Sequence, residues 1–77
     1  MEGQSVSNPR LGNRLKVARA ERGLSQQQLA ELAGVTRQTI SAIETGQYCP
    51  SGLLAFLLAK RLGKRVDDLF FLEGEPT

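Results

Sequence analysis

Seventy-seven residues amount to one small domain, too short for a dinucleotide-binding half, a barrel or a large catalytic cleft. With 40% apolar residues the chain suits a folded globule rather than a disordered one, and its longest apolar run, Leu53 to Ala59, falls far short of the roughly 20 residues of a membrane span. The net charge of +2 conceals a division: Arg10 to Arg65 holds all ten basic residues against Glu21, Glu31 and Glu44, for +7, whereas Glu2, Asp67, Asp68, Glu73 and Glu75 give the flanks −5, a pattern that points to a polyanionic partner.

Residues 1–9 are polar and read as a flexible arm. Leu11, Leu15 and Ala18 then recur at helical spacing, with Arg14, Lys16, Arg19 and Arg22 among them, and Gly23 closes that segment. Ser25 followed by Gln28 is a capping box opening a second helix, with Leu29, Leu32 and Ala33 on one face and Gly34 as its stop. Thr36 caps a third helix held by Ile40 and Ile43 and ending near Thr45-Gly46. Residues 47–50 form a loop before Ser51, the cap of a fourth helix. Its Leu53, Leu54, Phe56, Leu57, Leu58 and Leu62 are apolar on more than one side, which predicts a central position in the core. Lys60 and Arg61 sit near its end, where the helix dipole favours them, and Gly63 stops it. Val66, Leu69 and Phe70 suggest a short last helix opened by Asp67 and Asp68, ahead of an acidic tail over 73–77. No alternation of period two is evident. The expected fold is all-α, a compact domain of five helices over residues 10–72.

The stretch Gln26 to Glu44 carries the functional signal. Ala30 is small enough for a second helix to cross close by, Gly34 permits a tight turn, Val35 fills the corner, and Ile40 and Ile43 hold the next helix down. Arg37, Gln38, Ser41 and Ala42 then face outward. That is a helix-turn-helix, whose exposed helix enters the DNA major groove. Arg pairs bidentately with guanine and Gln with adenine, so Arg37 and Gln38 are candidate base readers, with Ser41 and Ala42 one turn on and Ala42 suited to a thymine methyl. The N–H groups at the helix start beside Ser25 and Gln26 attract phosphate. Arg14, near the first helix start, is the preferred phosphate ligand among the early basic residues. Thr36 is a cap that doubles as a backbone contact. Gln47 and Tyr48 in the loop are further backbone contacts, with Tyr48 alternatively a lid on the core.

The residues Gly23-Leu24-Ser25-Gln26, Leu29-Ala30 and Gly34 through Glu44, continued by Gly46, Pro50-Ser51 and Asp67 to Phe70, resemble the lambda-repressor-like, Cro-type (XRE) DNA-binding domains. Gly52 departs from that pattern, since glycine in a helix costs up to about 1 kcal/mol relative to alanine. The resemblance implies four or five helices, double-stranded DNA as partner and a homodimer on a palindromic operator; the leading reading of function is a repressor that blocks polymerase by steric occlusion. The resemblance also implies a phosphate contact by Gln26 and a partly buried Arg19–Glu44 salt bridge that orients the helix pair without reading DNA. Phe70 is the expected core member of Phe70-Phe71-Leu72. Phe71 and Leu72 are surplus apolar surface, read as a dimer contact or as covered by the tail. A second class of function is an antitoxin-like module that binds a partner protein through these C-terminal residues and regulates itself through DNA.

The single cysteine, Cys49, excludes an internal disulfide, and the absence of histidine removes the usual general base and weighs against zinc. An enzyme, a metal site and a cofactor are therefore not expected. Nothing at the N-terminus reads as a signal peptide, so the expected location is the cytoplasm, on the nucleoid when bound to DNA.

Overall fold

A computed structural model describes residues 9–74; most of the expected N-terminal arm and the last three residues of the acidic tail lie outside the described residues. The elements are β1 (Arg10–Asn13), α1 (Leu15–Glu21), α2 (Gln26–Ala33), α3 (Arg37–Glu44), α4 (Gly52–Leu62), α5 (Val66–Leu69) and β2 (Phe70–Glu73).

Local chemistry sets the helix ends. Ser25 Oγ accepts the Gln28 N–H at 3.0 Å while Gln28 Oε1 accepts the Ser25 N–H at 2.8 Å, the reciprocal pair of a capping box. Thr36 Oγ1 accepts from Thr39 N at 3.2 Å, and Ser51 Oγ from Leu54 N at 3.1 Å. Between α2 and α3, Gly34 adopts φ +72°, a left-handed conformation that glycine takes without a steric penalty. Its reversal lets the Val35 N–H reach Ala30 O at 3.0 Å, closing the turn.

One core is built from all five helices. Leu15, Leu29, Ile40, Ile43, Leu58, Leu62 and Leu69 are fully buried, each contributing about 1.5–3 kcal/mol by leaving water. Ala30 is likewise buried where α2 meets α3. Three basic side chains tie the far ends of the helices together. Arg22 Nη1 donates to Leu62 O at 3.3 Å, Arg61 Nε to Leu32 O at 2.9 Å, and Lys64 Nζ lies 3.0 Å from Glu21 Oε1.

Two parts of the chain differ from the sequence expectation. The first is a two-stranded antiparallel ribbon of β1 and β2, which joins the two ends of an otherwise helical fold. Its register pairs Arg10 with Glu73, Leu11 with Leu72, Gly12 with Phe71 and Asn13 with Phe70. Leu11 therefore lies in a strand, and α1 begins at Leu15. Phe70 ends α5 and starts β2, and Glu73, expected in the tail, is the last ribbon residue. Gly12 is required by close approach: a Cβ there would overlap the Phe71 ring and stand 2.7 Å from the Glu73 side chain. The second difference is α4. It buries Leu54, Leu58, Ala59 and Leu62, but Leu53 and Phe56 are 74% and 66% exposed. Only one of its two apolar faces enters the core.

Candidate nucleic-acid interface

The outward face of α3 holds Arg37 and Gln38, both exposed, followed one turn later by the half-buried Ser41 and Ala42. Ile40 and Ile43 on the opposite side are completely covered, so this helix cannot rotate about its axis without unburying two isoleucines. Its C-terminus is closed by Gly46, whose N–H donates to Ile43 O at 3.0 Å, and by Gln47, whose N–H donates to Ala42 O at 2.8 Å.

A chain of polar contacts fixes α3 against α1 and α2. Arg19 of α1 meets Glu44 of α3 through Nε–Oε2 at 2.7 Å and Nη2–Oε1 at 3.3 Å. Nη1 of the same guanidinium donates to Leu24 O at 2.9 Å. The Glu44 side chain is 5% exposed and that of Arg19 14%. Gln26, the first residue of α2, extends the network. Its Nε2 donates to Glu44 Oε1 at 3.0 Å, and its Oε1 accepts from Arg37 Nη1 at 3.1 Å. The amide thus links the carboxylate at the end of α3 to the guanidinium at its start. The sequence reading placed Gln26 on DNA and Arg19–Glu44 in a separate pair; the structure brings all four residues, Arg37 included, into one continuous network.

The other candidate residues fall around this face. Ser25 and Thr36 use their hydroxyls as caps, accepting from Gln28 N and Thr39 N, which leaves the first backbone N–H groups of α2 and α3 without an acceptor within their own helix. Arg14 precedes α1 and is exposed, with its guanidinium carbon 4.7 Å from the centroid of the Phe71 ring, a cation–π contact. Gln47 is exposed. Tyr48 is 47% exposed and lines an open depression of about 470 Å³ beside Leu11, Cys49 and Glu73. Phe71 is half-covered within its own chain, between Gly12 and Arg14, while Leu72 is 61% exposed.

Asn13 is the structural residue that the sequence reading missed. Its Oδ1 accepts the Leu15 N–H at 3.0 Å at the start of α1, and its Nδ2 donates to Ile43 O at 2.9 Å. It therefore fastens the ribbon to the last turn of the exposed helix. The sequence signal was an Asn before an apolar helical pattern, a residue type that bonds nearby backbone. Among the described residues no helix is long and apolar enough to cross a membrane, and no cluster of three or more metal-ligating side chains occurs.

Two helices joined by a glycine turn, the second rigidly held with its polar face outward, define a helix-turn-helix DNA-binding fold. The chain belongs to the helix-turn-helix family, whose model matches residues 15–69. It is 49% identical over 63 residues to YgzD of Bacillus subtilis, an uncharacterized HTH-type transcriptional regulator, covering 82% of this chain and 96% of that one. It is 52% identical over 58 residues to an uncharacterized HTH-type transcriptional regulator of Methanothermobacter thermautotrophicus, covering 74% and 84%. Among solved structures it is similar to the restriction-modification controller protein C.AhdI of Aeromonas hydrophila, with a TM-score of 0.68 and 34% identity over 71% of this chain and 83% of that one. Both sequence relatives are named as transcriptional regulators of the helix-turn-helix type. The matched segment leaves out β1 and β2, so the ribbon lies outside what the family model describes.

Proposed function

We propose that the protein is a sequence-specific repressor that binds a palindromic operator as a homodimer, with α3 of each copy in the major groove. The carrying observation is the fixed, outward polar face of α3: Gln38 is exposed and unencumbered by the network that holds its neighbour Arg37. Gln38 reads adenine, and Arg37 reads guanine or grips a phosphate with the N–H groups that Gln26 does not use. Ser41 and Ala42 complete the base-facing surface. Arg14, Gln47, Tyr48 and the amides at the starts of α2 and α3 meet the phosphates, orienting the domain without reading sequence. Occlusion of a promoter needs no further chemistry from the bound protein.

Selection of binding sites from a random DNA pool tests this reading. The expected product is an inverted repeat with half-sites about one helical turn apart. Gln38→Ala is expected to lose about 1–3 kcal/mol of discrimination at one base pair of each half-site while keeping its thermal midpoint. Equal preference by the parent and the variant removes Gln38 as a reader, and a selection that enriches no sequence refutes sequence-specific binding.

A further inference from the structure

We propose that the face of α4 formed by Gly52, Leu53 and Phe56 receives the same face of a second copy of this chain, with Phe56 of each copy seated over Gly52 of the other. This deepens, and rests on, the dimeric reading above. Positions 52, 53 and 56 share one side of the helix, because residues three and four apart are neighbours on its surface. Among the described residues, Leu53 and Phe56 are the most exposed of the large apolar side chains, at 74% and 66%.

Gly52 is the independent observation. It is helical and its φ is not in the left-handed region, so the backbone does not demand glycine. Among the described residues, no atom beyond its chain neighbours and its own helix stands within 4 Å of where a Cβ would be. This chain's own packing gives no reason for a glycine there, in contrast to Gly12, which the Phe71 ring requires. A gap next to an exposed aromatic on one helix face is self-complementary, as a two-fold contact must be.

Charge agrees with a second copy as the occupant. Residues 51–59 contain no charged side chain, and the first charge on the helix is Lys60. A two-fold contact at the start of α4 therefore sets no like charges together. Only residues 45–51 separate α3 from α4, so such a contact keeps both recognition helices near the axis, as half-sites one DNA turn apart require. The exposed parts of Leu53 and Phe56 come to roughly 250 Å² per protomer, well below the ~800 Å² of a stable interface. The free chain is accordingly expected to associate weakly, and the operator to hold the pair together.

The test uses the full chain titrated onto DNA carrying one or two copies of the selected half-site. The parent is expected to fill the two-half-site DNA cooperatively. Phe56→Ser, a neutral change at an exposed position, is expected to weaken binding to that DNA at least tenfold and to leave the single half-site within twofold. Gly52→Leu is expected to give the same loss with an equal or higher thermal midpoint, since the isolated helix has room for the side chain. Leu72→Ser tests the rival dimer contact that the sequence suggests on the ribbon, and a contact through α4 leaves its cooperativity in place. The proposal is overturned if cooperativity survives Phe56→Ser or Gly52→Leu, if it is lost only in Leu72→Ser, or if the parent fills the two sites independently. A parent that selects no DNA sequence refutes the DNA reading instead. Sedimentation of the free chain at millimolar concentration then decides the contact: dimers abolished by Phe56→Ser support it, and monomers overturn it.

Discussion

Replacing Glu44 with alanine removes the acceptor on which three N–H groups converge: Arg19 Nε at 2.7 Å, Arg19 Nη2 at 3.3 Å and Gln26 Nε2 at 3.0 Å. The Arg19 guanidinium, 14% exposed, keeps only Leu24 O at 2.9 Å. Loss of one partner from a buried pair costs about 3–5 kcal/mol, and the lower end applies because water reaches the outer edge through the half-buried Gln26. A loss of about 3 kcal/mol is a large share of the stability of any small domain. At about 4–8 °C per kcal/mol it lowers the thermal midpoint by about 12–24 °C, read by circular dichroism. The double variant Arg19→Met/Glu44→Leu replaces the pair with apolar groups and is expected to recover most of that stability. It is not expected to recover operator preference, because Gln26 no longer ties Arg37 to the end of α3. A loss under about 1 kcal/mol in Glu44→Ala is the signature of an exposed surface pair and refutes the reasoning. So does a double variant no more stable than the single one.

The remaining predictions concern the ribbon and the charge. Gly12→Ala is expected to cost about 1–3 kcal/mol, because the new methyl overlaps the Phe71 ring; an unchanged urea midpoint refutes the close contact. Asn13→Ala leaves the Leu15 N–H without its acceptor and removes one of the donors to Ile43 O, which keeps the Gly46 N–H; it is expected to cost about 1–3 kcal/mol, checked by the same denaturation. Operator affinity is expected to fall at least about tenfold between 50 and 200 mM salt. Arg14→Ala is expected to flatten the slope of log affinity against log salt by about 1, measured by fluorescence anisotropy, and an unchanged slope removes Arg14 from the phosphates.

The parts of the fold that were readable in advance follow rules local in sequence. Ser25 with Gln28, Thr36 and Ser51 announce helix starts because their side chains bond N–H groups three residues away. Gly34 announces the turn because the φ it adopts is costly for other residues. The ribbon obeys no such rule. Its strands are four residues each, and their partners stand some sixty positions apart in sequence. Leu11, Leu15 and Ala18 also happen to keep helical spacing. The contrary signal was Gly12-Asn13, two weak helix formers inside that pattern, with a Phe-Phe pair at the other end to pack on the glycine. For α4, composition shows two apolar faces but not which one the other helices cover. For Gln26, a polar residue at a helix start says nothing of whether it meets phosphate or the carboxylate of a neighbouring helix.

The charge division of the sequence acquires a mechanism from these contacts. Basic side chains of the +7 segment are engaged in two different ways. Arg22, Arg61 and Lys64 stitch the ends of α1, α2 and α4 through Leu62 O, Leu32 O and Glu21, and Arg19 is committed to Glu44. Arg10 lies 3.5 Å from Glu73 across the ribbon, and Arg65 3.4 Å from Asp67. Arg14 is held by an aromatic face and Arg37 by a single side-chain amide oxygen, and, as with the single-carbonyl contacts of Arg22 and Arg61, guanidinium N–H groups stay open. These contacts restrict where each cation points without neutralising it. An arginine that is oriented but not ion-paired loses less conformational freedom on meeting a phosphate or a base edge, and breaks no salt bridge to do so. To reach DNA, Arg10, Arg19, Lys64 and Arg65 must give up an ion-pair partner and Arg22 and Arg61 a tie between helices, whereas the exposed Lys16 and Lys60 hold no partner among the described residues but are not oriented. On the proposed reading, Arg14 and Arg37 are therefore the best-prepared members of the polyanion-binding set.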